Sequence, residues 1–177
     1  MPSRARGAEH AQPPGGVAAH WTEAYYGELY LRSVRHLLTP RLSALEAALV
    51  ARLLGLGPGH RVLDLACGHG RHAGPLAGRV GWLLGLERSA EALRLAVGAG
   101  AGEGARAPSW VRADLRALPL RPGSFDAVYS WYASLFMYDD PGNAAALAAA
   151  GRLLRPGGRL LVHHANPLAL AAEPRAE

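Results

Sequence analysis

The chain has 177 residues, half of them apolar and 19% charged, which places it among ordinary folded proteins and leaves room for one sizeable core. Its net charge of +5 comes from arginine alone, because the sequence contains no lysine. The arginines are scattered among acids rather than gathered in a block, and that argues against a nucleic-acid footprint. The lone Cys67 cannot form an internal disulfide, no Cys/His set has zinc-site spacing, and no run reaches a membrane-spanning length. These features point to a reducing cytoplasm and to no membrane partner.

In chain order, residues 1–19 hold Pro13, Pro14, Gly15 and Gly16 without apolar periodicity and read as a loose tail. Order is expected from His20 to Asn166, with residues 20–56 forming a helical cap on a core of residues 60–166. The first helix of the cap spans Trp21 to Leu38, where Trp21, Tyr25, Leu29, Leu31 and Val34 recur at helical spacing; Thr22 caps it and Pro40 closes it. A second helix from Ser43 to Leu54 turns Leu45, Leu49, Val50, Leu53 and Leu54 toward a core. Short apolar runs then alternate with helical stretches, the mark of a parallel sheet. Strands are expected at Arg61 to Ala66, Gly81 to Leu86, Ser109 to Arg112, Phe125 to Ser130 and Arg159 to His163. Residues 167–177 read as a second tail. Ligands of such sheets sit at the carboxyl ends of the strands, so the loops there are the place to seek chemistry.

The first of those loops follows Val62-Leu63-Asp64-Leu65-Ala66 and runs Cys67-Gly68-His69-Gly70-Arg71-His72-Ala73. Gly68 and Gly70 allow a tight turn and close approach of a ligand. Gly68-x-Gly70-x-x-Ala73 also fits the dinucleotide fingerprint, so the glycines alone do not choose a cofactor. Asp64 does, because a carboxylate at the strand end would repel a pyrophosphate and would favour a cationic ligand such as S-adenosylmethionine. Glu87 ends the second strand beside Arg88, where an acid can accept both ribose hydroxyls in either nucleotide reading. After the third strand, Asp114 is placed to accept from an adenine amino group while Leu115 covers the ring.

These residues, in this order, resemble the class I S-adenosylmethionine-dependent methyltransferases from about Tyr25 to Val162. The resemblance implies a Rossmann-like three-layer α/β sandwich with a mostly parallel sheet. It implies that Asp64, Ala66, Gly68 and Gly70 hold the methionine part of the cofactor, Glu87 the ribose, and Asp114 with Leu115 the adenine. Phe125 to Ser130 looks like the family's fourth strand, and Pro156-Gly157-Gly158 like the turn leading to its fifth. Ser130 and Trp131 are then expected beside cofactor or acceptor, and Tyr25 and Tyr30 on a helix that closes over the site. The family's sixth and seventh strands have no counterpart, which leaves an alternative: a truncated or partner-dependent cofactor-binding module, completed by a second copy or another chain.

Methyl transfer needs no protein nucleophile, and it needs a base only if the acceptor must lose a proton. His163, His164 and Tyr132 are the candidates. His163 and His164 are adjacent on a strand and point to opposite faces, so they cannot chelate one ion. His69 and His72 lack a clear third ligand, and no metal is expected. The expected activity is methylation of a small molecule. An NAD-dependent oxidoreductase is the remaining competitor, disfavoured by Asp64.

Overall fold

The computed structural model describes residues 33–34, 36–99, 107–132, 134–164 and 166. The tails and residues 20–32, Tyr25 and Tyr30 of the expected first helix included, lie outside the described residues; Ser33 and Val34 are helical and residues 36–38 form a turn and bend. Strands β1 (Arg61–Leu65), β2 (Trp82–Glu87), β3 (Ser109–Arg112), β4 (Phe125–Ser130) and β5 (Leu154–Val162) form one sheet in the order β3-β2-β1-β4-β5. All four pairings are parallel. Among the described residues there is no sixth or seventh strand, so β5 stands at one edge. Helices α1 (Pro40–Leu54), α2 (Ala73–Ala77), α3 (Ala90–Ala99) and α4 (Asp140–Leu153) supply the outer layers.

Alternation along the strands sorts side chains into two cores, one on each face of the sheet. Val62, Leu83, Ala127 and Tyr129 pack with Ala47, Val50 and Leu54 of α1 and Ala73 and Leu76 of α2. Leu63, Leu65, Leu84, Leu86 and Val128 pack with Ala146, Ala150 and Leu153 of α4. The central strand β1 is covered on both faces, and from Val62 to Leu65 every residue is buried, Asp64 included.

Several boundaries differ from the sequence expectation. Pro40 opens α1 rather than closing an earlier helix: it sits in the first turn, where a missing N–H is harmless, and the Thr39 hydroxyl accepts from Leu42 N at 3.2 Å. With the helix set that way, Ala47, Val50 and Leu54 face inward while Leu45 and Leu53 are exposed. β1 ends one residue early because Ala66 turns into the left-handed region at φ 64°. β2 runs one residue later than expected, since Gly81 lies against the Pro58 carbonyl and any Cβ there would be 2.8 Å from that oxygen. β5 starts at Leu154: Leu154 pairs with Phe125 and Arg159 with Ala127, so the Pro-Gly-Gly turn is an irregularity inside the strand, with Gly157 at φ 80°.

Gly85 marks a tight packing point in β2. A Cβ on it would lie 2.4 Å from the Trp110 ring and 2.9 Å from Cys67 Sγ. Gly85→Ala is therefore expected to destabilise the domain by about 1–3 kcal/mol, read as an earlier urea midpoint with an unchanged slope. Gly74→Ala, on a helix with open space around it, is the control and should cause no loss.

Candidate functional site

The carboxyl ends of the strands surround a cavity of about 430 Å³. Asp64, Ala66, Cys67 and Gly68 line it from the first turn, Glu87, Arg88 and Ser89 from the second, Leu115 from the third, and Trp131 and Tyr132 from the end of β4. Two of these residues, Ala66 at φ 64° and Tyr132 at φ 59°, hold left-handed backbone conformations that L residues rarely adopt. Strain of this kind persists where surrounding contacts enforce it, and here it flanks the cavity on adjacent strands.

Asp64 is 4% exposed. Burial pushes its carboxyl up to about 7; the Tyr129 hydroxyl and Arg71 ease the charged form only in part, and Glu87 opposes it. The Tyr129 hydroxyl is itself buried and meets no described partner in good hydrogen-bond geometry. Asp64 is thus a buried carboxyl that its described neighbours ionise only in part. A cationic group entering the cavity would supply that charge.

Glu87 ties the first two turns together. Its Oε2 accepts from Gly68 N at 3.0 Å, and its Oε1 accepts from Arg88 N at 2.7 Å and Ser89 N at 2.8 Å. A carboxylate offers roughly four acceptor positions, so one remains for a ligand hydroxyl where the sequence reading placed two. Asp114 departs further from expectation. It accepts from Arg116 N, Nε and Nη2 at 2.9, 3.0 and 2.8 Å, those contacts hold it down to about 2, and it is not among the cavity-lining residues. Leu115 does line the cavity.

The two motif glycines play different parts. Gly68, at φ 55°, would place a Cβ in open space on the cavity wall. Gly70, at φ 71°, would drive a Cβ to 2.5 Å from Trp110 and 3.0 Å from Ala96, so it serves helix-to-sheet packing. Ser130 also falls away from the cavity lining: its side chain follows Val128 to the α4 face, is buried, and has no described partner.

Of the three proposed bases, only Tyr132 lines the cavity. His163 stacks on Trp131 at 4.3 Å, and its Nδ1 accepts from Tyr132 N at 3.3 Å; His164 is exposed, edge-on to Phe136. Burial and the neighbouring Glu46 raise the Tyr132 phenol above its usual range, so it remains a neutral donor.

Sequence reasoning missed a polar cluster behind this wall. Glu46 on α1 accepts from Tyr132 Oη at 3.2 Å with one oxygen. With the other it pairs with Arg71 Nη1 and with His72 Nε2, the latter at 3.2 Å. Ser43 Oγ accepts from the same Arg71 nitrogen at 3.4 Å. Burial costs Glu46 some of its ionisation, but the bonds from Arg71 and His72 outweigh that and hold its carboxyl below the ordinary range. His72 is lowered to about 4, first by burial and then by Arg71, so its imidazole is neutral. No motif marks Glu46 in the sequence; the buried Ser43 one turn before it places that acid on the inner side of α1. Among the described residues no three side chains converge as metal ligands.

A family model described as a methyltransferase domain matches residues 62–158, more than half of the chain. The chain is 32% identical over 131 residues to a 2-phytyl-1,4-naphtoquinone methyltransferase of Synechocystis sp., covering 71% of this chain and 54% of that protein. A demethylmenaquinone methyltransferase of a Mycobacterium species is 37% identical over 109 residues, covering 62% and 43%. The chain therefore spans about half the length of these relatives. The crystal structure of DesVI from Streptomyces venezuelae superposes with a TM-score of 0.64 at 25% identity, over 78% of this chain and 58% of that one. The matched segment holds the buried acid, the glycine turn, Glu87 and the Pro-Gly-Gly irregularity on a five-strand parallel sheet, and by that match the chain belongs to the methyltransferase-domain family with a Rossmann-like fold.

Proposed function

We propose that this protein binds S-adenosylmethionine in the cavity and transfers its methyl group to a small planar molecule in the cytoplasm. The observation that carries the reading is Asp64, a buried carboxyl pushed up to about 7 on the wall of a cavity that also presents Glu87 and an open Gly68. These residues fit the cofactor. Asp64 would face the cationic methionine end, Gly68 leaves room for close approach, Glu87 keeps an acceptor for ribose, and Leu115 offers an apolar surface for adenine. When bound, the cofactor supplies a methyl group already activated by a positive sulfur. The chain's own task is to orient the reactants and exclude water. Trp131, Tyr132, Met137 and Tyr138 give the β4 side of the cavity a largely aromatic lining suited to a flat acceptor. The relatives named as 2-phytyl-1,4-naphtoquinone and demethylmenaquinone methyltransferases support the same class. We read residues 20–166 as the cofactor-binding unit, with 20–56 as its cap.

Calorimetric titration is expected to show micromolar binding of S-adenosylmethionine and S-adenosylhomocysteine and none of NAD. Gly68→Val should abolish both while the protein stays folded, with a stability loss of about 1–2 kcal/mol from the left-handed backbone. Retained affinity in that variant would move the site elsewhere. The ligand-free protein carries a further sign. Because the folded Asp64 binds its proton up to about 7 and the unfolded one only to 3.8, its contribution to stability falls as pH rises across that interval and is constant above it. Urea midpoints of Asp64→Asn should lack this component of the decline between pH 5 and 7.5 seen in the parent.

A second reading is favoured by β5, whose outer edge has no described neighbour. In it the chain binds cofactor but transfers no methyl group until a second copy or another chain pairs with that edge. Sedimentation velocity of the cofactor-bound protein separates the two: an active monomer removes the second reading, and activity confined to a dimer or complex supports it.

A further inference from the structure

The wall between the glycine turn and the end of β4 carries Arg71, His72 and Tyr132, and all three bond to one carboxylate that stands behind them. Glu46 belongs to α1, outside the segment matched by the family model. It lies within a single side chain's reach of two loops: Arg71 and His72 follow β1, and Tyr132 follows β4. Its placement has an electrostatic consequence. Among the described residues Arg71 is the cation of this wall, its guanidinium lies 5.1 Å over the Tyr132 ring, and its side chain is only 10% exposed. One of its nitrogens, Nη2, is buried with no described partner. An arginine so placed draws anionic oxygens strongly unless a counter-charge is held against it. Glu46 provides that counter-charge in direct contact, and His72, Tyr132 and Trp131 add no net charge to the wall.

We infer that Glu46 is a specificity-determining residue that neutralises Arg71 and thereby makes the acceptor side of the cavity select uncharged planar molecules over anionic ones. The inference rests on the proposed methyltransferase reading and goes beyond it, since it names the charge class of the acceptor and a residue outside the cofactor motifs. Glu46→Gln keeps the shape of the side chain and its ability to bond Tyr132 while removing the charge. Arg71→Gln removes the opposite charge and leaves Glu46 uncompensated. The two substitutions must therefore move selectivity in opposite directions, and the double variant must return toward the parent. A purely structural role for Glu46 would weaken all ligands alike and would leave the ratio unmoved.

The probes are 1,4-naphthoquinone and its 2-sulfonate, titrated by calorimetry into protein saturated with S-adenosylhomocysteine. The parent should favour the neutral probe by roughly tenfold or more, Glu46→Gln should reduce that ratio by about tenfold, and Arg71→Gln should enlarge it by a similar factor. Ratios unchanged within about twofold in both single variants, or shifted in the same direction, would overturn the inference. Breaking a buried ion pair can prevent folding; if one single variant fails to fold, the direction of the shift in the other decides, and if both fail, the parent decides, because a sulfonate bound as tightly as the neutral probe overturns the inference and a neutral preference of roughly tenfold supports it. Binding of S-adenosylhomocysteine, measured first, separates the two levels: its absence in the parent overturns the methyltransferase reading and this inference together, whereas its presence with unmoved ratios overturns this inference alone.

Discussion

A carboxyl group buried in the central strand of a parallel sheet is unfavourable unless something at the strand end answers its charge. Asp64 occupies that position, with β2 on one side and β4 on the other. Burial holds it near neutrality, and the groups around it are arranged without ionising it fully: Arg71 sits close enough to help, Glu87 opposes, and the Tyr129 hydroxyl only partly eases the charge. The architecture depends on this constraint. The flanking strands must be apolar to bury the acid, the turn after it must be glycine-rich to leave space above it, and the next acid must be tied down so that it does not repel Asp64 freely. Glu87 meets that last condition through its three backbone amide bonds.

The same economy governs the wall that Arg71 shares with Tyr132. Arg71 would dominate the field there, but its charge is matched by Glu46 within the α1 layer, and the neutral His72 and Tyr132 share the same carboxylate. Two acids thus stand in opposite situations around one cavity. Asp64 is only partly eased by its neighbours, whereas Glu46 is bonded by Arg71, His72 and Tyr132. The strained backbones at Ala66 and Tyr132 fix the loops that carry these ends.

Strands β1 to β4 were legible because runs such as Val62 to Leu65 and Phe125 to Ser130 are buried on both faces and admit few other readings. That Gly68, Glu87 and Asp64 would line one cavity was legible for a related reason: motif spacing fixes where the strands end. What the sequence did not show was how side chains would pair and pack. Gly70 looks equivalent to Gly68 until Trp110 from β3 is placed against it. Asp114 looks free until Arg116 folds back onto it. Ser130 looked adjacent to the site, yet strand parity sends it to the other face. Pro40 reads as a stop or a start with equal ease, and only the Thr39 cap decides. Glu46 carries no motif at all, since its role arises when α1 packs across the end of the sheet.

The account turns on Asp64 answering a cation, and proton release on cofactor binding tests that most directly. Titrating S-adenosylmethionine calorimetrically at pH 6.5, in buffers of differing ionisation enthalpy, should reveal release of roughly half a proton or more per cofactor bound, lost in Asp64→Asn. Tight binding without proton release, or the same release from the variant, would contradict the assignment of Asp64 as the group that receives the cationic end.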